Sequence, residues 1–485
     1  MQRVQLERQQ GLGREIASTD GNNGLREVRV GNRTLRGRWI TFHDFLFDYI
    51  KSALGYDWGK AELATPVAQR HPIMYWCEVA AKQLLATRAP PGTIGRMPMT
   101  GAIAAYLTLA YDLYTLEHNA SQANDPALQA KLIARLKHKD QFVGARHEIR
   151  TAAIFFRAGF QLEWEDETSR SKRHCEFSAT YPATGRTFGV ECKIRQPQVA
   201  STKIGKFGSL LVDAPSKETP HERIVFLDLN TPAQERAGNS TDWQSWAVGR
   251  TRRLETDPKL AKLPPAYILL TIFPHHYHLE AIAPRVTAVA EGFKISDYKH
   301  DWKSSLREAI ESRERHAEME ALVQSAMSEH TQIPSTFDGS IAELGQGRLL
   351  VGHRYQMDDG KVGVLTQAVV HEERRVASLM LEMSTGEHSI YEATLSPEEY
   401  EAWKRYPDVF FGEVGSRKRE ARDALDLYDS FLEVYRRVDK ARLLSFMNGW
   451  PNQDSLREMD QLRLAKTYSE SLANNAAALA DSRRQ

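Results

Sequence analysis

The sequence predicts a multidomain α/β protein: a mixed central sheet flanked by helices, with a helical N-terminal module and an α+β C-terminal region. Three observations predict it. Between Asp140 and Ile194 a helical apolar stripe gives way to strand-like runs. The runs Ile224 to Leu229 (IVFLDL) and Tyr267 to Phe273 (YILLTIF) are almost continuously apolar, as in central strands covered on both faces. From Arg348 to Thr394, strand-like runs separated by turn signals read as a β-meander.

Taken in order, residues 1–37 read as a flexible segment with a short strand around Arg26 to Val30. They lack the apolar core of a signal peptide. Arg33, Arg36 and Arg38 could touch a phosphate backbone, against the alternative of a solvated basic segment. Residues 38–130 form a helical module: FHDFLFDYIKSAL, PIMYWCEVAAKQLL and AIAAYLTLAYDLYTL. The last is dense in apolar residues, yet it is short and carries Asp112, which argues against a membrane span. Loops are expected at Arg88 to Thr100 and at Ser121 to Pro126. A basic run, Lys131, Arg135, Lys137 and Lys139, then leads into the core, as a DNA-facing edge or a solvated helix face.

The core, residues 131–290, holds the most informative stretch. Ala145, Ile149, Ala152 and Phe156 recur at helical steps, and Glu148 borders their stripe. A carboxylate there needs a cation or a donor to offset its desolvation. Gly159 ends the helix. Thr187 to Ile194 alternates, so Phe188, Val190, Cys192 and Ile194 share one face, and Glu191 and Lys193 share the other. Two residues along a strand span roughly 6.6 Å, which sets Glu191 beside Lys193. The turn Pro182 to Gly185 joins this run to His174–Tyr181 as an antiparallel hairpin. Glu176 then lies across from Glu191 and Lys193, with Glu148 approaching from the helix. Three carboxylates and a lysine on a common surface suit a hard divalent cation. A surface hairpin with an ordinary Glu–Lys pair is the plain alternative.

This arrangement resembles the PD-(D/E)xK, or restriction-endonuclease-like, nuclease superfamily. The helix glutamate is Glu148, the first metal-binding acid Glu176, and the E-x-K pair Glu191 and Lys193. The likeness covers roughly residues 137–273, and departs from the usual Pro-Asp at Cys175-Glu176. It implies Mg²⁺ or Mn²⁺ held by Glu176 and Glu191, with Glu148 completing the metal shell directly or through water. Lys193 would orient the attacking water or stabilise charge on the phosphate. The implied activity is metal-dependent hydrolysis of phosphodiester bonds in nucleic acid, DNA in preference to RNA, in restriction, defence or repair. A non-catalytic nucleic-acid-binding or scaffold protein with a decayed site is the alternative, and a hydrolase of small nucleotides is a third reading.

Substrate phosphates need basic groups near the acids. Arg170, Lys172 and Arg173 precede Glu176, while Arg195, Lys203 and Lys206 follow Lys193. The segment Asp242 to Val248 can supply a crossover helix. Asp228 ends a strand as a turn-forming acid, with a place in the site as the alternative. His276 and His278 would share a strand face; phosphate contact or core-edge packing suits them better than a metal.

Residues 291–345 read as an exposed helical connector, 346–395 as the meander and 396–485 as C-terminal helices. Ser396-Pro397-Glu398-Glu399 is a helix start with a capping box. This C-terminal region is expected to bind a partner, a substrate or a second copy of the chain. No repeat, P-loop or dinucleotide fingerprint is present.

At 485 residues, with 41% hydrophobic and 26% charged, the composition is that of an ordinary soluble globular protein. Three cysteines, Cys77, Cys175 and Cys192, lack zinc-site spacing and point to a reducing, cytoplasmic compartment. A net charge of +1 predicts no global attraction to nucleic acid, so binding must come from a local patch.

Overall fold

The structure, a computed structural model, describes residues 10–20, 24–86, 97–119, 126–164, 175–196, 207–215, 217–232, 243–300, 305–329, 332–337, 349–351, 354–383, 385, 387–405, 410–411, 424–436 and 438–482. The chain divides into two units, residues 1–300 with 318–414, and residues 301–317 with 415–485.

The first unit opens on an antiparallel sheet of β1 (Ala17–Asp20), β2 (Arg26–Val30) and β3 (Arg33–Gly37). The sequence predicts only the middle strand, within a flexible lead. Full burial of Val28 and Val30 anchors the segment instead. Arg33 does not await a phosphate: Nη2 donates to Glu117 Oε2 at 2.7 Å, and Tyr49 OH donates to the same oxygen at 2.7 Å. Arg36 pairs with Glu27 at 2.7 Å.

The predicted helical module follows as α1 (Phe42–Leu54), α2 (Tyr56–Ala64), α3 (Pro72–Ala86) and α4 (Gly101–Asn119). Thr41 and Asp44 cap α1 reciprocally, at 3.1 and 2.8 Å. Every residue of α4 is buried, so its apolar density reflects a central place in the core. Among the described residues no helix is long and apolar enough to cross a membrane.

Next come α5 (Pro126–Lys137) and α6 (Lys139–Arg157). Ala145, Ile149 and Ala152 of α6 are fully buried, as the stripe predicts, and Gly159 turns the chain away at φ +91°. The central sheet contains β4 (Gln161–Trp164), β5 (Phe177–Tyr181), β6 (Arg186–Ile194), β7 (Glu222–Asp228), β8 (Ala266–Ile272) and β9 (Thr287–Phe293), in that order. β6, β7 and β8 run parallel, and the remaining pairings are antiparallel. Between the parallel strands lie α7 (Phe207–Asp213) and α8 (Trp243–Glu255), the latter where a crossover helix is predicted.

Strand parity separates two cores. Phe188, Val190, Cys192, Ile224, Phe226 and Leu269 pack with α4 and α6. Val225, Leu227, Ile268 and Leu270 pack with Leu211 of α7 and Ala247 of α8. Burial on both faces explains the continuous apolar runs. β9 is absent from the sequence reading because its small residues and buried Glu291 hide the period; Arg252 meets that carboxylate at 2.8 Å.

The expected exposed connector is two helices, α9 (Leu306–Arg315), which buries only Leu306, Ala309 and Ile310 and exposes most of its charged residues, and α10 (Ala317–Met327), which is more deeply buried. Leu306 and Ile310 of α9 pack in the second unit, while Met319, Leu322 and Ala326 of α10 join the first unit's main core. Each is a short apolar stripe set among charges. The predicted meander is present as β10 (Arg354–Gln356), β11 (Val362–His371), β12 (Val376–Met383) and β13 (His388–Thr394), all antiparallel. Its core contains Leu365, Leu379, Leu381 and Tyr400. The capping box opens α11 (Pro397–Arg405), with Ser396 and Glu399 bonded at 2.8 and 3.1 Å. Beside α9, the second unit contains α12 (Ala424–Tyr435), α13 (Lys440–Phe446), α14 (Gln453–Glu458) and α15 (Gln461–Ser482).

Candidate active site

Glu191 and Lys193 lie at the C-terminal end of β6, the edge of a parallel sheet where ligands commonly bind. They pair with Val225 and Leu227, so both belong to the face covered by α7 and α8. Lys193 Nζ is 2.6 Å from Glu191 Oε1, as alternation along the strand implies. Burial alone would lower the Lys193 pKa, but the bond and charge of Glu191 outweigh it, so the pKa is raised. Lys193 is therefore a cation at neutral pH.

Glu176 precedes β5. Phe177 pairs with Val190, yet the Glu176 N–H also goes to Val190 O at 2.9 Å. That bond ties Glu176 to the hairpin just ahead of the strand. Glu176 senses Glu148 and Glu191 together, and burial with these two charges pushes its carboxyl up to about 7. The Cys192 thiol is likewise pushed well up, by burial first and then by Glu176 and Glu148.

Glu148 departs from the predicted common surface. It projects from α6, which covers the opposite face of the sheet from Glu191. Its two oxygens accept from Arg135 at 2.6 and 2.7 Å, a bidentate clamp across the α5–α6 turn. That meets the need for a cation at this border position. It also removes Arg135 from the expected DNA-facing edge and ties up both Glu148 oxygens. The acids still share one field, and Glu176 lies between the other two in its influence.

A metal fits two of the predicted ligands better than three. Among the described residues no group of three or more His, Cys, Asp and Glu side chains is set to hold an ion. Both Glu191 oxygens, however, are buried, with Lys193 and Lys217 at 2.6 and 3.4 Å from Oε1, and Oε2 left without a partner. Glu176, pushed up to about 7, is partly protonated at neutral pH, and a cation would displace that proton. Two carboxylates with several retained waters are a common Mg²⁺ arrangement. Mg²⁺ affinity is accordingly expected to rise with pH by up to about tenfold per unit, levelling off above about pH 7, because the ligand must lose its proton. Calorimetric titration at several pH values checks this. The same shift makes the Glu176 contribution to stability of the unliganded protein fully present below the free glutamate pKa, and it is lost as pH rises through about 7.

One participant escaped the sequence reading. Lys217, which follows α7, brings Nζ to 3.4 Å from Glu191 Oε1, and its charge also reaches Glu176. Nothing in the local pattern marks it, since the contact is closed by the crossover. Arg195, expected on a phosphate-facing surface, is 8% exposed. Its Nε donates to Leu229 O at 3.0 Å, and its carbonyl accepts from Asn230 Nδ2 at 2.9 Å, so it fastens two strand ends. Arg170, Lys172, Arg173, Lys203 and Lys206 lie outside the described residues. Asp228 is buried on the α6 face and caps the turn, with Oδ1 accepting from Asn230 N at 3.0 Å. His275–Tyr277 forms a single 3-10 turn instead of a strand, and His276 packs on Tyr277 with ring centroids 4.1 Å apart.

Comparison with protein-family models, with curated proteins and with solved structures gave no match.

Proposed function

We propose that the protein is a divalent-metal-dependent nuclease of the PD-(D/E)xK kind, cleaving phosphodiester bonds of DNA. One observation carries the reading: Glu148 from a helix, Glu176 from a strand head and Glu191 from the E-x-K strand share one electrostatic field beside Lys193. Their order along α6, β4, β5 and β6 is the order on which the resemblance rests.

In this reading Glu176 and Glu191 hold Mg²⁺ or Mn²⁺. When bound, the ion makes a nearby water more acidic and offsets negative charge on the phosphate. Lys193, kept protonated, donates to the attacking water or to a phosphate oxygen and stabilises charge that grows during attack. Lys217 adds a second positive charge on the same side of Glu191. Glu148, held in place by Arg135, adds its negative charge to the surroundings of Glu176. The reaction adds water across the ester: the water oxygen bonds to phosphorus, the P–O bond to the leaving sugar oxygen breaks, and that oxygen takes up a proton.

The clamp of Arg135 on Glu148 and the two lysines around Glu191 also favour a second reading, a non-catalytic nucleic-acid reader whose acids are satisfied by the protein's own cations. Wild type and Lys193→Ala compared on plasmid, linear duplex and single-stranded DNA, with Mg²⁺, Mn²⁺ or EDTA, separate the two. Cleavage that needs the metal and vanishes in the variant supports the nuclease. Salt-sensitive DNA binding without cleavage supports the reader, and equal cleavage by both proteins sinks the assignment of Lys193.

A further inference from the structure

On the other face of the central sheet, β7 and β8 end in a group of buried polar atoms that the protein leaves without partners. Asp228 pairs with Thr271 across these strands, and both share the face of Phe226 and Leu269, toward α6. The guanidinium of Arg146, from α6, packs there on Trp76, with Cζ 4.6 Å from the ring centroid. Arg146 Nε and Nη2, Asp228 Oδ2 and Thr271 Oγ1 are all buried with no hydrogen-bond partner. His276, stacked on Tyr277 beside Trp76, adds an unpartnered Nδ1.

The nearby charges form two ion pairs, which leave Glu329 Oε2 and Arg157 Nε and Nη2 without partners. Arg150 pairs with Glu329 at 2.6 Å and Arg157 with Asp112 at 2.8 Å. Asp228 Oδ1 is held by the Asn230 N–H. Arg146 and Asp228 each sense the other's charge, yet neither Arg146 Nε nor Nη2 bonds Asp228 Oδ2. What remains is a forked donor and an acceptor, both buried and unpartnered, within reach of each other's charge. Native interiors rarely leave such groups unsatisfied, so something polar belongs between them.

We propose that Arg146, Asp228 and Thr271 form a binding site for a protonated phosphate group, distinct from the candidate nuclease site. Two phosphate oxygens accept from the Arg146 fork in the bidentate manner that guanidinium favours. The P–OH donates to Asp228 Oδ2, and Thr271 Oγ1 completes the shell. Asp228 makes the site selective. A fully ionised sulfate satisfies the arginine but brings no donor, and leaves two negative groups opposed.

Isothermal titration of the full chain at neutral pH and matched ionic strength, without divalent metal or DNA, tests this apart from any nuclease activity. Inorganic phosphate is expected to bind about tenfold or more tightly than sulfate, the penalty for an absent hydrogen-bond donor. Arg146→Gln is expected to lose that binding. Asp228→Asn, whose amide can donate, is expected to bind sulfate as well as phosphate. Adenosine 5′-monophosphate binding like phosphate would identify the ligand as a phosphate ester, and its exclusion would identify the free ion. No phosphate binding by wild type, equal affinity for sulfate, or unchanged binding in Arg146→Gln would overturn the proposal and leave ordered water as the partner. If Arg146→Gln does not fold, the sulfate response of Asp228→Asn decides, and continued discrimination there overturns it equally.

Discussion

Glu191→Gln is expected to reduce metal-dependent cleavage by on the order of 10³-fold or more, the scale seen when one preorganised charge is removed from a reacting centre. Glu191 is 1% exposed, and it is the group on which Lys193 and Lys217 both converge, at 2.6 and 3.4 Å. The amide keeps the shape but removes the negative charge. Three effects then act in one direction. The proposed cation site loses one of its two carboxylates. The two lysines face each other without a counter-charge, so Lys193 loses the influence that raises its pKa. Glu176, relieved of one repelling neighbour, titrates lower than in the wild type. Initial rates on plasmid DNA across a range of Mn²⁺ concentrations, read beside the melting temperature, separate chemistry from folding. A variant within tenfold of wild type at saturating Mn²⁺ would remove Glu191 from the mechanism.

The contrast between Glu191 and Glu148 shows what was legible in the sequence. A strand repeats every two residues, so the pairing of Glu191 with Lys193 follows from eight residues of alternation and needs no tertiary knowledge. The hairpin before it is equally local, written in Pro182 to Gly185. Glu148 was readable as a helix-border acid in need of a cation. Its partner was not, because Arg135 stands on a separate helix and its approach depends on how α5 folds back on α6. The setting of Glu176 is hidden for a related reason: its N–H bonds to Val190 O just before the strand begins. Arg195 misled because an arginine just past a strand looks the same whether it meets phosphate or a neighbouring carbonyl. The burial of Val28 and Val30, in a strand the sequence does predict, and the short stripes of α9 and α10 were masked by surrounding charge.

The largest expected loss of stability lies in the buried pair of Arg150 and Glu329. Arg150 Nε meets Glu329 Oε1 at 2.6 Å, with side chains 2% and 1% exposed, and the guanidinium lies 4.1 Å from the Phe273 ring centroid. Removing one partner leaves the other charged and dry, at a cost of about 3–5 kcal/mol. Glu329→Leu is therefore expected to unfold at markedly lower urea concentration than wild type, by an amount matching that range. Replacing both groups tells a different story. The double variant Arg150→Met with Glu329→Leu buries no orphaned charge, and apolar substitution of a buried pair is often neutral or stabilising. It should recover most of the loss, giving a strong coupling energy in a double-mutant cycle. The neighbouring pair Arg157–Asp112, 2.8 Å apart, shares this electrostatic environment, because Glu329 also acts on Asp112. Burial with that repulsion raises the Asp112 carboxyl to about 7, so loss of Glu329 relieves Asp112 and tempers the damage slightly. Additive single-variant losses in the cycle would show that the two groups act independently and that the arginine is satisfied elsewhere.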